Sequence, residues 1–317
     1  MECAADPATT RRRQHYGDFY GADRADEADR ADRADDGRPV ALVWGNCQAE
    51  SVRVLLARSP TFPLRTVRVP PVHELRAEDL APLAALLPRV ALLLSQPVRR
   101  GYRGLPIGTA DLTDAIGARV PVRRWPVVRY IGLCPYAAIV RHPADPATDP
   151  PAVPYHDLRT LARAAGRRRR RAPSAPTLRA VAEASVAELA RREHEGTDVG
   201  VSDLLLSSGA EATHTLNHPG NRILIALARR LQRAVGAPAD ADDPGRQLLG
   251  HLRAPLEADV VEALGLDATP RPAWDAGGVP IEVKAIEEQQ LEWYGTNAAC
   301  VEAGLRRHGN RMALLGL

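Results

Sequence analysis

The sequence predicts an α/β fold built on a parallel sheet, and three observations carry that prediction. The run Pro39-Val40-Ala41-Leu42-Val43-Trp44 is apolar and breaks at Gly45. A second run, Val90 to Leu94, is apolar at every position, as a strand covered on both faces should be. Stretches with helical spacing lie between such runs, the alternation that marks βαβ units.

Taken in order, residues 22–36 repeat Ala-Asp-Arg and similar triplets that offer no apolar face to bury. Residues 1–36 are therefore expected to form a disordered or low-complexity tail, with folded structure from Gly37 to Leu317. After the first strand, Ala49 to Arg58 reads as helix, Leu64 to Val69 as strand and Ala77 to Leu87 as helix. The strand from Val90 ends on a second polar turn, Ser95-Gln96-Pro97. If it neighbours the first strand, a right-handed crossover puts both polar turns on one sheet edge and lets Gln96 face Cys47. A glycine-flexed loop, Val98 to Gly104, leads to a helix over Thr109–Ile116, and a further strand is expected within Val120 to Gly132. Residues 166–176, with five consecutive arginines, read as a flexible basic connector, touching an acidic polymer or membrane surface or simply solvated. A long helix follows over Thr177–His194, a packing or lid element with Leu178, Val181, Val186 and Leu189 on its apolar side. Ser202 and Asp203 are a candidate cap for a new segment. Arg222 to Val235 and Glu287 to Leu305 complete the expected helices.

Composition narrows the function. The net charge of +3 over 317 residues, with no clustered patch on a predicted element, argues against nucleic-acid binding. Of 42 basic residues only Lys284 is lysine, so arginine abundance reflects coding bias. Cys3, Cys47, Cys134 and Cys300 show neither metal spacing nor close pairing, the pattern of reduced thiols in a cytoplasm. Arg11 to Arg13 have no apolar run behind them, and no stretch reaches membrane-spanning length. A soluble protein is expected.

Two stretches carry chemistry. Gly45-Asn46-Cys47-Gln48 is a strand-to-helix turn, where open α/β sheets place ligand sites. Helix N-terminal amides favour an anion, so Cys47 is expected to have a lowered pKa and to be a nucleophile; the plainer reading is a small buried hydrophobe. The second stretch, Thr213-His214-Thr215-Leu216-Asn217-His218-Pro219-Gly220-Asn221, precedes a helix. Pro219 sits where a first helical residue is expected, making His218 or Asn217 the cap and holding a histidine toward its neutral, basic form. His214 and His218 as metal ligands would straddle that cap with no acidic partner adjacent, so no metal is expected. In the loop after Gln96, Arg99, Arg100 and Arg103 have the guanidinium forks that suit phosphate, or are plain surface residues.

Together Gly45-Asn46-Cys47-Gln48, Ser95-Gln96-Pro97 with Gly101-Tyr102-Arg103-Gly104-Leu105-Pro106, and Thr213 to Pro219 resemble the WcbI-type polysaccharide biosynthesis acetyltransferase family over roughly residues 40–310. The resemblance implies a three-layer, parallel-sheet core like that of the SGNH/GDSL hydrolases with extra helices, and coenzyme A or acetyl-CoA as donor. It also implies O-acetylation of a sugar in a capsular or surface polysaccharide. On that pattern Cys47 takes the hydrolase serine's place, and His218 or His214 the base. Asn46, Gln48, Gln96 and Asn217 become donors or orienting groups, and Gly45, Arg99, Arg100, Tyr102, Arg103 and Arg222 hold the cofactor. Such hydrolases set an acidic residue two or three places before the histidine. Here those places hold Thr215 and Leu216, so a third member of the triad is unassigned. Covalent transfer through Cys47 and direct transfer, with Cys47 only shaping the site, are both allowed. A thiol esterase and a non-catalytic coenzyme A or glycan-binding module are the alternatives. A phosphatase loop of Cys47 and Arg53 is disfavoured by Glu50 within it.

Overall fold

The computed structural model describes residues 7–21, 38–167 and 171–317. In chain order the elements are α1 (Pro7–His15), α2 (Gly17–Tyr20), β1 (Val40–Trp44), α3 (Cys47–Ala57), β2 (Arg65–Thr66), α4 (Leu80–Leu86), β3 (Val90–Ser95), α5 (Thr109–Ile116) and β4 (Val122–Arg124). There follow β5 (Ala137–Ala138), β6 (His156–Asp157), α6 (Leu158–Ala164), α7 (Ala175–Gly196), β7 (Thr213–Thr215), β8 (His218–Pro219) and α8 (Asn221–Ala234). The last are β9 (Leu252–Arg253), α9 (Ala258–Leu264), β10 (Trp274–Ala276), β11 (Val279–Ile281), α10 (Val283–Thr296) and α11 (Ala298–Leu314).

The chain divides into two compact units, each drawn from three stretches. The first takes the described residues up to Val127, then Ala190–Val201 and Asn221–Arg246. Its centre is a four-stranded, wholly parallel sheet in the order β2-β1-β3-β4. All five residues of β1 are buried, as are five of the six in β3, which is why both read as unbroken apolar runs. Trp44 pairs with Ser95, so the two strands end level and their polar turns share one edge, as expected. The expected strand over Leu64–Val69 shrinks to Arg65–Thr66, while the Thr109–Ile116 helix is found at its expected bounds. The amphipathic α8 buries Ile223, Leu224, Leu227, Ala228 and Leu231.

Residues 7–21 correct the expectation of an unstructured tail. Tyr16 and Phe19 are buried in the first unit's core, and Arg12 pairs with the buried Asp79 at 2.8 Å while Tyr20 donates to the same carboxylate. Few apolar side chains anchor this segment, so its periodicity is too weak to read. The Ala-Asp-Arg triplets lie outside the described residues, as does most of the arginine run.

The second unit comprises Val128–Leu189, Ser202–Gly220 and Gln247–Leu317. It pairs the short sheets β5-β6, β7-β8 and β11-β10-β9, all antiparallel, with α6, α9, α10, α11 and the first part of α7. The expected helix Glu287–Leu305 is two helices, because Asn297 leaves helical geometry and starts α11. Ser202 opens a single 3-10 turn instead of an α-helix.

Candidate active site

The first unit brings together five of the expected residues, Gly45, Asn46, Cys47, Gln48 and Gln96. Asn46 caps α3, its side-chain oxygen accepting from the Gln48 amide at 2.9 Å. Gln96, buried at the end of β3, clamps this turn. Its amide donates to the Trp44 carbonyl (2.8 Å), its Oε1 accepts from the Asn46 amide (2.9 Å), and its Nε2 donates to Gln48 Oε1 (3.1 Å). Gly45 is required by this clamp, since a Cβ there would lie 2.4 Å from Gln96 Oε1. Because Gln96 is buried and held at both ends, it has nowhere to swing. Gly45→Ala is expected to cost about 1–3 kcal/mol and several degrees of Tm. Calorimetry checks this, and an unchanged Tm would show that the clamp is slack.

Cys47 is the first residue of α3, and the amides of Cys47 and Gln48 both donate toward its sulfur. Sequence reasoning expects those amides to lower its pKa. Burial outweighs them, with Glu74 adding to it, and the thiol is pushed up to about 11. Removing a small anion from water costs more than two partial dipoles return. Cys47, Cys134 and Cys300 are all free thiols.

The expected phosphate arginines are less uniform than their sequence suggests. Arg100 is taken by Asp111 (3.2 Å) and Asp114 (2.8 Å), and Arg103 donates to the His73 carbonyl. Arg99 sits over the Tyr102 ring, 5.8 Å from its centroid, and Arg222 is exposed on the first turn of α8. Arg53 is bound through two hydrogen bonds to Glu50, which removes it from any phosphatase role.

His214, Asn217 and His218 lie together in the second unit. They do not cap a helix. The chain from Thr213 to Pro219 forms the β7-β8 ribbon, with Thr215 opposite His218, and α8 starts only at Asn221. Gly220 packs against the Glu211 carbonyl, so close that a Cβ would lie 2.2 Å from its oxygen, and this fixes the strand before the helix can begin. Both imidazoles are nonetheless neutral. Burial lowers each pKa to about 4, and for His214 the neighbouring Arg253, His218 and Arg271 push the same way. His214 bonds to the Leu248 carbonyl and leaves Nε2 unpartnered, while His218 leaves Nδ1 unpartnered.

Three-dimensional contacts add residues that no motif announced. The Tyr155 hydroxyl meets Thr215 Oγ1 at 2.9 Å and donates to Asn217 Oδ1 at 2.8 Å. Its ring meets His218 edge-on at 6.4 Å and stacks on Trp274 at 5.4 Å. Arg253 and Arg271 supply positive potential beside His214. Tyr155 stands about sixty residues before the histidines, which no local pattern spans.

The four-stranded parallel sheet, with the Cys47 turn at its carboxyl edge, defines an α/β protein. The family model for the polysaccharide biosynthesis enzyme WcbI matches residues 40–240, and the chain belongs to that family. No curated protein matches. Among solved structures, native WcbI, a polysaccharide biosynthesis enzyme, in its form without a disulfide bond between coenzyme A and one of its cysteines, is similar in fold. The TM-score is 0.71 at 20% identity, over 87% of this chain and 97% of that one. Among the described residues no helix is long and apolar enough to cross a membrane, and no cluster of metal-ligating side chains occurs.

Proposed function

We propose that this protein is a coenzyme A-dependent acyltransferase that O-acetylates a sugar of a capsular or surface polysaccharide, on an SGNH-like core within residues 37–317. Family membership supports the pathway, and the naming of coenzyme A with the solved WcbI, here in its form without a disulfide to it, supports the donor. A cytoplasmic location follows from such a donor. What carries the mechanism is the burial of Cys47 at the start of α3, which pushes its thiol up to about 11 and favours the protonated form at neutral pH. This favours direct transfer: a neutral base removes the proton of the sugar hydroxyl, which attacks the thioester carbonyl. The coenzyme A thiolate leaves, and the developing oxyanion is met by the side-chain amide of Asn46, which Gln48 and Gln96 hold in place. Cys47 contacts the thioester sulfur region and shapes the site. Arg99 and Arg222 are assigned to the phosphates with the backbone at Gly45 and the face of Tyr102, because Arg100 and Arg103 are already engaged.

The test is intact-protein mass spectrometry after incubation with acetyl-CoA. Direct transfer predicts no acetyl adduct on Cys47 and substantial turnover in Cys47→Ser. An adduct that disappears in Cys47→Ser would establish the covalent route. Release of acetate without any sugar acceptor at the full rate would make the protein an esterase.

A further inference from the structure

The second unit holds a cleft of about 520 Å³, counting its open mouth, that none of the roles above uses. Gln290 of α10 lines it and is fully buried. Its Nε2 donates to the Tyr155 carbonyl at 2.8 Å, but its Oε1 has no partner. A buried acceptor without a donor is costly, so this position asks for a donor from outside the chain. The walls are aromatic, with Trp274 stacked on Tyr155, and Tyr136 carrying the Arg159 guanidinium 4.0 Å above its ring.

The charged rim is neutralised from within. Arg159 pairs with Asp157 at 2.6 Å and Glu257 at 2.8 Å, and Arg163 with Glu287 at 2.8 Å. Three carboxylates against two guanidiniums leave no positive excess, so the cleft repels a phosphate-bearing donor. It offers fixed acceptors and donors beside flat apolar faces. A sugar ring has hydroxyls that both donate and accept, and C–H faces that pack on aromatic rings.

We infer that this cleft binds a neutral sugar ring, the acceptor of the acyl group, with a hydroxyl donating to Gln290 Oε1. Tyr155 connects it to the imidazoles, lining the cleft while its ring edge meets His218 and its hydroxyl holds Asn217. The word acceptor rests on the acyltransferase reading; the binding site itself does not.

Saturation-transfer NMR of the full chain with the methyl glycosides of glucose, galactose, mannose and rhamnose at millimolar concentration tests the inference. At least one glycoside should receive saturation. Its affinity should fall roughly tenfold or more in Gln290→Leu and in Glu257→Gln. Gln290→Leu also strips a partner from the Tyr155 carbonyl; if it fails to fold, Glu257→Gln, checked by its melting curve, decides alone. Absence of saturation with all four glycosides overturns the inference. So does binding that both folded variants preserve, or displacement of the glycoside by coenzyme A. A parallel titration with coenzyme A separates the two readings. Glycoside binding without coenzyme A binding sinks the acyltransferase and leaves the cleft, and the reverse result sinks the cleft alone.

Discussion

Replacing His218 by alanine is expected to lower turnover about a hundredfold or more while leaving coenzyme A affinity nearly unchanged. The imidazole is neutral at rest and has one ring nitrogen without a partner, so it can take a proton when a hydroxyl is presented. His214→Ala should cost less in rate and more in stability. His214 already spends one nitrogen on the Leu248 carbonyl and stands in the field of Arg253 and Arg271. The pH dependence sharpens this expectation. A base whose pKa is lowered to about 4 is present above that pH and lost as pH falls through it. The acid limb of kcat/KM should therefore lie well below the ordinary histidine value of about 6.5. Steady-state kinetics of the unsubstituted protein, with no acid limb expected above about pH 5, and of both variants check this. A fully active, folded His218→Ala would transfer the role to His214.

The second large effect is acid sensitivity. His156, His214, His218 and His308 are all held by burial at a pKa of about 4. Unfolded histidines titrate near 6.5, so between roughly 6.5 and 4 the unfolded chain binds more protons than the folded one. Stability is full above that window and falls as pH drops through it. Each of these sites gives up the stability it holds as pH nears the bottom of that window. Asp240, pulled down to about 2 by Ser59, Thr61 and Gln232, loses its contribution only below the usual carboxylate value, so it does not blur the window. Urea midpoints should fall steadily from pH 7 to 5, with a shallower slope in His308→Gln. A midpoint flat across that range would show these imidazoles to be protonated in the folded protein.

The sheet was legible because β1 and β3 are buried on both faces and so are written as unbroken apolar runs. The Gly45–Gln48 turn was legible for the same reason, since a polar break after such a run has one place to be. The pKa of Cys47 was misread because the sequence shows the helix end but not the burial around it, and burial is the larger effect. The His218 cap was misread because Pro219 serves equally at a helix start and in a short edge ribbon, and the choice is made by the contact of Gly220 with Glu211. Tyr155, Trp274, Gln290 and Arg253 were invisible because only the folded chain brings such distant residues together. The two-unit division was hidden because the units' stretches interleave along the chain.

That interleaving governs how the protein is made. The first unit's sheet is complete in sequence by Arg124, yet α8, whose apolar face that unit buries, is translated almost a hundred residues later. The second unit is not complete until α11 has left the ribosome. Neither unit can finish folding as a contiguous early fragment, so the nascent chain must carry exposed apolar surface through most of synthesis. Contacts closed over such long separations fold slowly and invite aggregation on the way. Slow synthesis at reduced temperature, or added chaperone, should therefore raise soluble yield more than any change to the mature surface.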